Sequence, residues 1–584
     1  PALATRVASA GTFAGAARVG ERQQSIADAP LGGRLLIGDP SSAAGATFSK
    51  LVFDAGTTAL SGLTDGAAPD TLHLDAGLFG RHNFTRLGAY TSESVALRSG
   101  LTVDVGPGGT FVTHGGATTI GGRVIAPGGH IEIVAAGDLV VTSGARLDAA
   151  GLWTNEQLAK LRRQPVAGAV ALDGGDVTVQ GANVTLASGS RIDVSAGAAF
   201  GADGRFRYGD AGSISIATRV PAANEIAGAT PYRLVLDATL SGYGFGAFRG
   251  SSGGSLAVKT SDILVGGTGA LADGQWRASD AFFGHGFSSF ALTGIDALTV
   301  APGATVRPEP LARMQPTSAQ WIASGALPGG IAALSTPADL RDAVRIELSA
   351  VRAEQGFGVV TVGRDAIVDA GIGGHIGIDA ENVIGVDGTL SAAAGSIALA
   401  LPRPRSDDLY DPVRKIFLGD DAQLLARGAV VLDSRALQKP SGDVLAGGTI
   451  SLTAGNGYIA VARGADLDVS GTSGRVLVAQ QRGSAVLRGL ADVNSDGGSI
   501  RISASEGFSI DGDLHAHAGG AGAVGGSLDA TIDLANRRFA DQSDPVLQDL
   551  LYGPRTLALT ATESGAPVFA DANAPVDRSL LATG

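Results

Sequence analysis

The sequence predicts an all-β fold, a right-handed parallel β-helix (solenoid) with short helical and loop insertions. Two observations predict this fold. Glycine supplies 88 of the 584 residues and aromatic residues only 5%, which suits a narrow core of small and aliphatic side chains. In addition, short segments of alternating apolar and polar residues recur along the chain and are bounded by glycines, as expected of a stacked repeat.

The first element of the repeated unit is a glycine pair followed by alternating apolar and polar residues. Such alternation over four to six residues is typical of a strand with one buried face. Clear copies lie at 128–133, 174–179, 447–452 and 497–502, and looser copies begin at Gly212, Gly253, Gly373, Gly395 and Gly525.

The unit closes on a second pattern, in which an aspartate precedes a glycine corner. Its copies are 144–151, 189–197 and 464–471, and a short apolar middle strand lies between the two patterns. Three strands per unit cannot bury their apolar face alone, whereas coaxial stacking of units buries it. With units about 4.8 Å apart, 18 to 22 coils would form a rod roughly 90–105 Å long.

Several segments interrupt this rhythm and divide the chain. We expect an irregular or degenerate start over residues 1–100 and a shaft over 101–535, with insertions near 152–170, 311–345 and 401–415. A C-terminal extension over 536–584 would carry a short helix at 544–551. Helices are also predicted at 154–163, from a Thr-x-x-Gln capping box, and from Thr336, which precedes a proline.

Composition narrows the function classes. The net charge of −13, without a basic run, disfavours nucleic-acid binding. The sequence contains no run of 18 apolar residues, so it predicts no membrane-spanning helix. The absence of cysteine removes disulfides and thiol chemistry and suits export. Because the chain starts at Pro1 without a leader pattern, we expect a segment cut from a longer protein.

Candidate catalytic residues are few, so we predict that the chain is not an enzyme and has no cofactor. The closing residues Asp148, Asp193 and Asp468 would form an acidic ladder if their units were adjacent, but we expect Asx turns before the corner. The pairs 407–408 and 420–421 are adjacent aspartates, which point to opposite faces if they lie on a strand. A carbohydrate-active enzyme would need two carboxylates in one cleft.

Candidate metal and modification sites are equally weak, and none is predicted as a site. Asp492, Asn494 and Asp496 match the start of a calcium loop, but its twelfth position is Ser503 instead of a glutamate. His515 and His517 would share one face of a strand without an evident third ligand. Two glycosylation patterns begin at 83 and 183.

The repeats at 447–454, 464–471 and 497–504 resemble those of filamentous haemagglutinins, the large exoproteins of two-partner secretion in Gram-negative bacteria. The resemblance covers residues 100–530. The N-P-N-G-type motif that is usual in the secretion domain of this family does not occur in the sequence. It implies a right-handed β-helical shaft, export through an outer-membrane transporter, and an adhesive or spacer role at the cell surface.

Three functions therefore remain open for this sequence. The first is a non-catalytic adhesin shaft, secreted or on the cell surface, whose insertion loops attach to a receptor or glycan of a host or neighbouring cell. The second is a purely structural stalk of a contact-dependent toxin-delivery exoprotein. The third is a β-helix carbohydrate-active enzyme.

Overall fold

The computed structural model describes residues 13–18, 30–38, 49–56, 60–61, 71–80, 83–163, 170–219, 232–245, 251–314, 321–325, 333–351, 358–402, 413–436, 440–455, 457–482 and 485–532. Within these residues the chain is mostly β, and most neighbouring strands pair in parallel. The prediction of an all-β fold with parallel sheets is therefore confirmed.

The strands belong to three stacks, and in most units the chain visits them in turn. Most of these strands pair in parallel with the counterpart one unit later, for example Ile131 with Val177 and Val177 with Ile214. The first stack contains Arg34–Ile37, Arg86–Tyr90, Thr110–Gly115, His130–Ala135, Asp176–Gly181, Ser213–Thr218, the first parts of Gly254–Val265 and Phe287–Val300, Arg345–Ala350, His375–Ala380, Ser396–Leu401, Thr449–Ala454, Ser499–Ala504 and Ser527–Ile532.

The second stack follows the first along most units. It contains Lys50–Asp54, Leu60–Ser61, Thr71–Asp75, Ser94–Leu97, Ala117–Ile120, Leu139–Val141, Val184–Leu186, Leu234–Leu236, the last parts of Gly254–Val265 and Phe287–Val300, Gln275–Ala278, Val359–Val362, Val383–Val386, Lys415–Leu418, Tyr458–Val461 and Gly507–Ile510. Its order departs from the chain order at Thr71–Asp75, which pairs with Lys50–Asp54 on the side opposite Ser94–Leu97.

The third stack has the shortest strands, and it forms two sheets. One sheet contains Thr102–Asp104, Arg123–Ile125, Arg146–Asp148, Arg191–Asp193 and Thr239–Ser241; the other contains Thr305–Val306, Ile367–Asp369, Thr389–Ser391, Gln423–Leu425, Asp466–Asp468 and Asp513–His515. Its central residues, such as Leu147 and Ile192, are fully buried and lie on neighbouring strands. Burial of each such side chain contributes roughly 1.5–3 kcal/mol.

The glycine pairs are required for close approach between units. A Cβ on Gly175 would overlap the carbonyl oxygen of Gly129, and a Cβ on Gly448 would overlap that of Gly395. The same carbonyls accept inter-unit hydrogen bonds. For example, the amide of Asp176 donates to the carbonyl of Gly129 at 2.9 Å. The first glycine of a pair can adopt a left-handed backbone, as Gly128 does with φ of 59°. The second glycine is required for a different reason, the close approach of the neighbouring unit's carbonyl.

Within the part of the chain that the structure describes, the helices are few and short. The predicted helix near 154–163 is confirmed as the α-helix Glu156–Leu161, but its N-cap is Asn155, not Thr154. The predicted helix from Thr336 is wrong: the described chain there forms a turn, in which the amide of Leu340 donates to Pro337. Among the described residues, complete 3-10 helices occur at Ala76–Leu78 and Asp280–Phe283. The predicted helix at 544–551 and most of the 401–415 insertion lie outside the described residues.

Most strands outside the stacks belong to insertions at one corner of the unit, between the third stack and the next strand of the first stack. They are Trp153–Asn155, Ala198–Phe200, Phe206–Tyr208, Gly244–Phe245, Leu311–Arg313, Ala333–Ser335, Ala429–Leu432, Gly442–Leu445, Ser473–Arg482 and Ala485–Asn494. The described first stack has fourteen strands, so it extends over about 62 Å at 4.8 Å per unit. The described strands therefore span less than the 90–105 Å expected for 18 to 22 coils.

Candidate functional site

The candidate site is a lateral module at the corner that follows the third stack. Its sheet contains Trp153–Asn155, which pairs in parallel with Ala198–Phe200, and Phe206–Tyr208, which pairs with Ala198–Phe200 in the antiparallel sense. The helix Glu156–Leu161 and the segment 321–325 complete the module. The module therefore combines residues from three different insertions.

The insertions predicted near 152–170 and 311–345 meet in this module. The indole nitrogen of Trp153 donates to the carbonyl of Ile322 at 3.1 Å, and Trp153 and Gly325 exchange backbone hydrogen bonds of 2.9 Å. The side-chain amide of Asn155 donates to the same carbonyl at 2.8 Å, and its backbone amide donates to the hydroxyl of Ser324. Sequence reasoning missed this contact because the partners lie about 169 residues apart.

An aromatic cluster fills the module. Trp153 and Phe245 are each only 1% exposed, and the half-buried rings of Phe200, Phe206 and Tyr208 lie beside them. Phe200 and Phe206 stack with centroids 4.3 Å apart and planes 17° apart. Because these two rings cover each other's faces, the cluster serves as the core of the module and does not offer an open aromatic platform for a sugar.

The helix is held against the turn that follows Ala198–Phe200. The oxygen of Asn155 accepts from the amide of Leu158 at 3.0 Å, which caps the helix. The side chains of Gln157 and Lys160 both donate to the carbonyl of Ala202. The end of the helix is consequently fixed while its last side chain, Leu161, remains 63% exposed.

The module carries exposed basic, aliphatic and aromatic side chains, which we group as a basic–aromatic patch. Trp321 is 66% exposed although the residue after it is fixed to the module by hydrogen bonds. We define the patch as Lys160, Leu161, Arg162, Arg163, Arg205 and Trp321, all of which are exposed. Exposed tryptophan, leucine and arginine residues on one module are a common composition of binding surfaces.

A partly buried ionic network connects the third stack to the strand Leu311–Arg313. Asp193 accepts from Arg191 at 2.5 Å and from the hydroxyl of Ser195 at 2.6 Å, and Arg313 lies 3.8 Å away. Arg313 also packs over the ring of Tyr243, with its guanidinium carbon 5.1 Å from the centroid. Burial lowers the pKa of Arg313, although Asp193 opposes this effect. The network joins the strand Leu311–Arg313 to the stack.

The closing aspartates form Asx turns, as predicted. The side chains of Asp148, Asp193 and Asp468 each accept from the backbone amide two residues later, at 3.3, 3.0 and 2.7 Å. Only Asp148 and Asp193 lie on adjacent strands, whereas Asp468 lies opposite Leu425 and His515. Burial raises the pKa of Asp148, and the neighbouring Asp193 raises it further.

The second acidic feature is an open cleft of about 540 Å³ on the third stack. Asp420 and Asp421 lie in a turn, not on a strand, and both line this cleft with Asp365. Arg364 contacts Asp421 at 2.9 Å and Asp387 at 3.4 Å, and these two carboxylates raise its pKa. Asp421 and Asp387 are therefore engaged in ion pairs with Arg364. The pair 407–408 lies outside the described residues.

The remaining predicted positions make contacts within the protein. Asn494 donates to the carbonyl of Ala521, and Asp496 accepts from the amide of Val524 at 2.7 Å. The rings of His515 and His517 lie 5.6 Å apart, and His515 lies 3.7 Å from Asp466. No cluster of three or more His, Asp or Glu side chains suited to a metal ion occurs among the described residues.

The two glycosylation patterns lie where both asparagine side chains already make hydrogen bonds. The side chain of Asn83 accepts from the amide of Gly15 at 2.9 Å. Asn183 donates to Asp138 and accepts from the amide of Arg233, each at 2.8 Å. Both asparagines therefore help to hold neighbouring segments together.

Among the described residues, no helix has the length and apolar character needed to cross a membrane. Comparison of the chain with models of known families, with curated proteins and with solved structures gave no match.

Proposed function

We propose that the three stacks close into one right-handed parallel β-helix, the shaft segment of a bacterial adhesin that resembles filamentous haemagglutinins. The support is the recurrent path of the chain through the three stacks, with parallel pairing between successive units. In this proposal the chain is non-catalytic, and the stacks and their inter-unit hydrogen bonds provide its stability without a cofactor. The full-length protein leaves the cell through an outer-membrane two-partner secretion transporter and acts when secreted or at the cell surface.

The attachment role rests on one observation, the basic–aromatic patch of the lateral module. Trp321 and Leu161 are more than 60% exposed on a backbone that hydrogen bonds hold in place. A pre-ordered apolar side chain binds a partner with little loss of conformational entropy. The patch is thus the part of the described chain that we propose to contact a receptor or glycan.

Binding of the whole labelled chain to epithelial cells and to a glycan array tests this proposal. We expect saturable binding that falls at least tenfold in a Trp321→Ala, Leu161→Ser double variant, because interface tryptophans commonly contribute 2 kcal/mol or more. Leu271→Ser is the matched control, since Leu271 is also exposed but follows a second-stack strand. Circular dichroism verifies that each variant folds.

Two results would contradict the attachment role. If the double variant and the Leu271→Ser control bind cells as the wild type does, the patch is not the attachment site. If no form binds cells or glycans although all are folded, the segment is a spacer, as in the stalk of a toxin-delivery exoprotein. Point substitutions suit this test better than deletion of an insertion, because Trp153 and Ile322 bind the insertions to each other.

A further inference from the structure

The patch combines an exposed indole with a fixed backbone. Ile322, the neighbour of Trp321, accepts hydrogen bonds from Trp153 and from Asn155. Ser324 accepts a third, from the backbone amide of Asn155 at 2.8 Å. Trp321 is therefore held outward by ordered neighbours, and its apolar ring remains in contact with water. Indoles of this kind are favoured at the boundary between water and a lipid bilayer, where the ring is amphipathic.

Cationic residues flank Leu161, the second apolar residue of the patch, along the sequence. Leu161 lies between Lys160 and Arg162, and Arg163 follows, all of them exposed. Among the described residues, Arg162 and Arg163 have no carboxylate partner. The nearby acid Asp203 is paired with Arg207 at 2.9 Å. The patch is thus positively charged in a chain whose net charge is −13.

The apolar and basic groups belong to one rigid unit. Asn155 caps the helix and donates to Ile322, so the helix start and the Trp321 segment share one residue. Leu161 lies about 9 Å along the helix axis from this cap, at 1.5 Å per residue. Arg205 belongs to the turn that begins at Ala202, whose carbonyl fixes Lys160. These contacts join the helix, the Trp321 segment and the turn of Arg205 through hydrogen bonds to Asn155, Gln157 and Lys160.

We propose that the basic–aromatic patch docks on a lipid bilayer that carries anionic headgroups. This inference rests on the proposed attachment of the patch to a cell surface and assigns lipid, in place of a receptor or glycan, as the partner. Trp321 would lie at the headgroup level, Leu161 would enter the acyl boundary, and the arginines would face phosphates. Protruding apolar side chains favour a bilayer, because a fluid surface accepts them without a preformed pocket. Charge complementarity sets the preference for anionic lipid.

Vesicle sedimentation and tryptophan fluorescence test the inference on the whole chain. The probes are vesicles of phosphatidylcholine alone and of phosphatidylcholine mixed with phosphatidylglycerol. We expect binding to the mixed vesicles only, and a decrease as salt is added. Trp153 and Trp276 are buried, so the blue shift on binding would come from Trp321 and would be absent in Trp321→Ala. Brominated lipid would quench the same residue.

Two double variants with the same change in net charge test whether the cations of the patch drive binding to anionic vesicles. Arg162→Glu with Arg163→Glu should weaken binding at least 25-fold, about fivefold for each lost cation. Arg123→Glu with Arg146→Glu changes the same net charge at two exposed residues of the third stack and should leave most of the binding intact. Equal losses in the two pairs would overturn the proposal, since the attraction would then come from the net charge of the whole chain.

Two further outcomes distinguish this inference from the attachment role. If cell binding depends on Trp321 but no vesicle is bound, the partner is a protein or glycan, and only the membrane inference fails. If neither cells nor vesicles are bound by the folded wild type, both proposals fail. Equal binding to zwitterionic and anionic vesicles would overturn the assigned headgroup chemistry.

Discussion

Several threonine hydroxyls lie inside the stacks without a hydrogen-bond partner. Thr118 is 1% exposed and lies between Val95 and Leu139 on the neighbouring strands, and its hydroxyl has no partner among the described residues. The hydroxyl of Thr113 is in the same situation in the first stack. A buried hydroxyl that has lost its water contacts destabilises the fold by roughly 1–3 kcal/mol.

Replacement of this hydroxyl should therefore stabilise the protein. We expect Thr118→Val to raise the free energy of unfolding by about 1 kcal/mol, because the side chain keeps its shape and loses the unsatisfied group. Thr119→Val is the control, since Thr119 is exposed on the same strand. Denaturant unfolding of both variants measures the effect. A destabilised Thr118→Val would show that the hydroxyl has a partner, such as an internal water molecule.

The Asp148–Asp193 pair predicts a pH dependence. The pKa of Asp148 is higher in the folded protein, because burial and the Asp193 carboxylate both disfavour its charge. The resulting penalty is absent below the unfolded pKa near 3.8, develops as pH rises through the folded pKa, and is complete above it. Folding is thus weakened by this group at neutral pH and not at acid pH.

Asp148→Asn should remove that penalty and keep the Asx turn, because the asparagine oxygen can still accept from Ala150. We expect a gain of about 0.5 kcal/mol at pH 7, typical of a relieved like-charge pair across strands, and no gain at pH 3. Thermal unfolding at the two pH values measures it. Asp104→Asn is the control: Asp104 forms the same turn but lies opposite Ile125. A gain at both pH values would contradict the electrostatic cause.

At the scale of elements, the contact between successive units depends on glycine. We expect Gly448→Ala to cost about 1–3 kcal/mol, the usual range for overpacking, since its Cβ would overlap the carbonyl of Gly395. Gly269→Ala is the control, because a Cβ there meets no atom within 4 Å and the backbone is not left-handed. Denaturant midpoints compare the two. Equal stability of the variants would mean that the units can separate slightly at no cost.

The cap of the module's helix gives a second prediction at this scale. Asn155→Ala removes the cap and one bond to Ile322, so we expect a local loss of about 1–2 kcal/mol. Hydrogen exchange should become faster at 156–161 and 321–325 and remain unchanged in the stacks. Thr154→Ala is the matched control, since Thr154 begins the capping box that the sequence suggests but does not cap the helix. Faster exchange in Thr154→Ala alone would contradict the observed cap.

For the molecule as a whole, the proposed closed β-helix predicts an elongated particle. The described first stack alone extends over about 62 Å. We expect X-ray scattering of the whole chain to give a radius of gyration above the value of about 25 Å that a compact chain of 584 residues would have. A compact, near-spherical profile would contradict the closed, coaxial arrangement.

Local patterns predicted the stacks well, and distant contacts could not be predicted. The alternation at 128–133 and the aspartate turn at Asp148 are each properties of a few consecutive residues, and the structure contains both. The module depends instead on the bond between Trp153 and Ile322, for which the chain offers no periodic signal. Asn155 could have been found as the cap, because asparagine ranks with the best N-cap residues.

The shared corner of the insertions has a consequence for how such a chain can change. Segments as different as a helix-bearing sheet and the hairpin formed by Ser473–Arg482 and Ala485–Asn494 leave after a third-stack strand, and the aliphatic columns continue beneath them. The link after Thr389–Ser391 is short and leads directly to Ser396–Leu401. A foreign peptide grafted into this link would emerge on the same edge as the natural insertions. This edge can therefore display new sequences while the stacks stay intact.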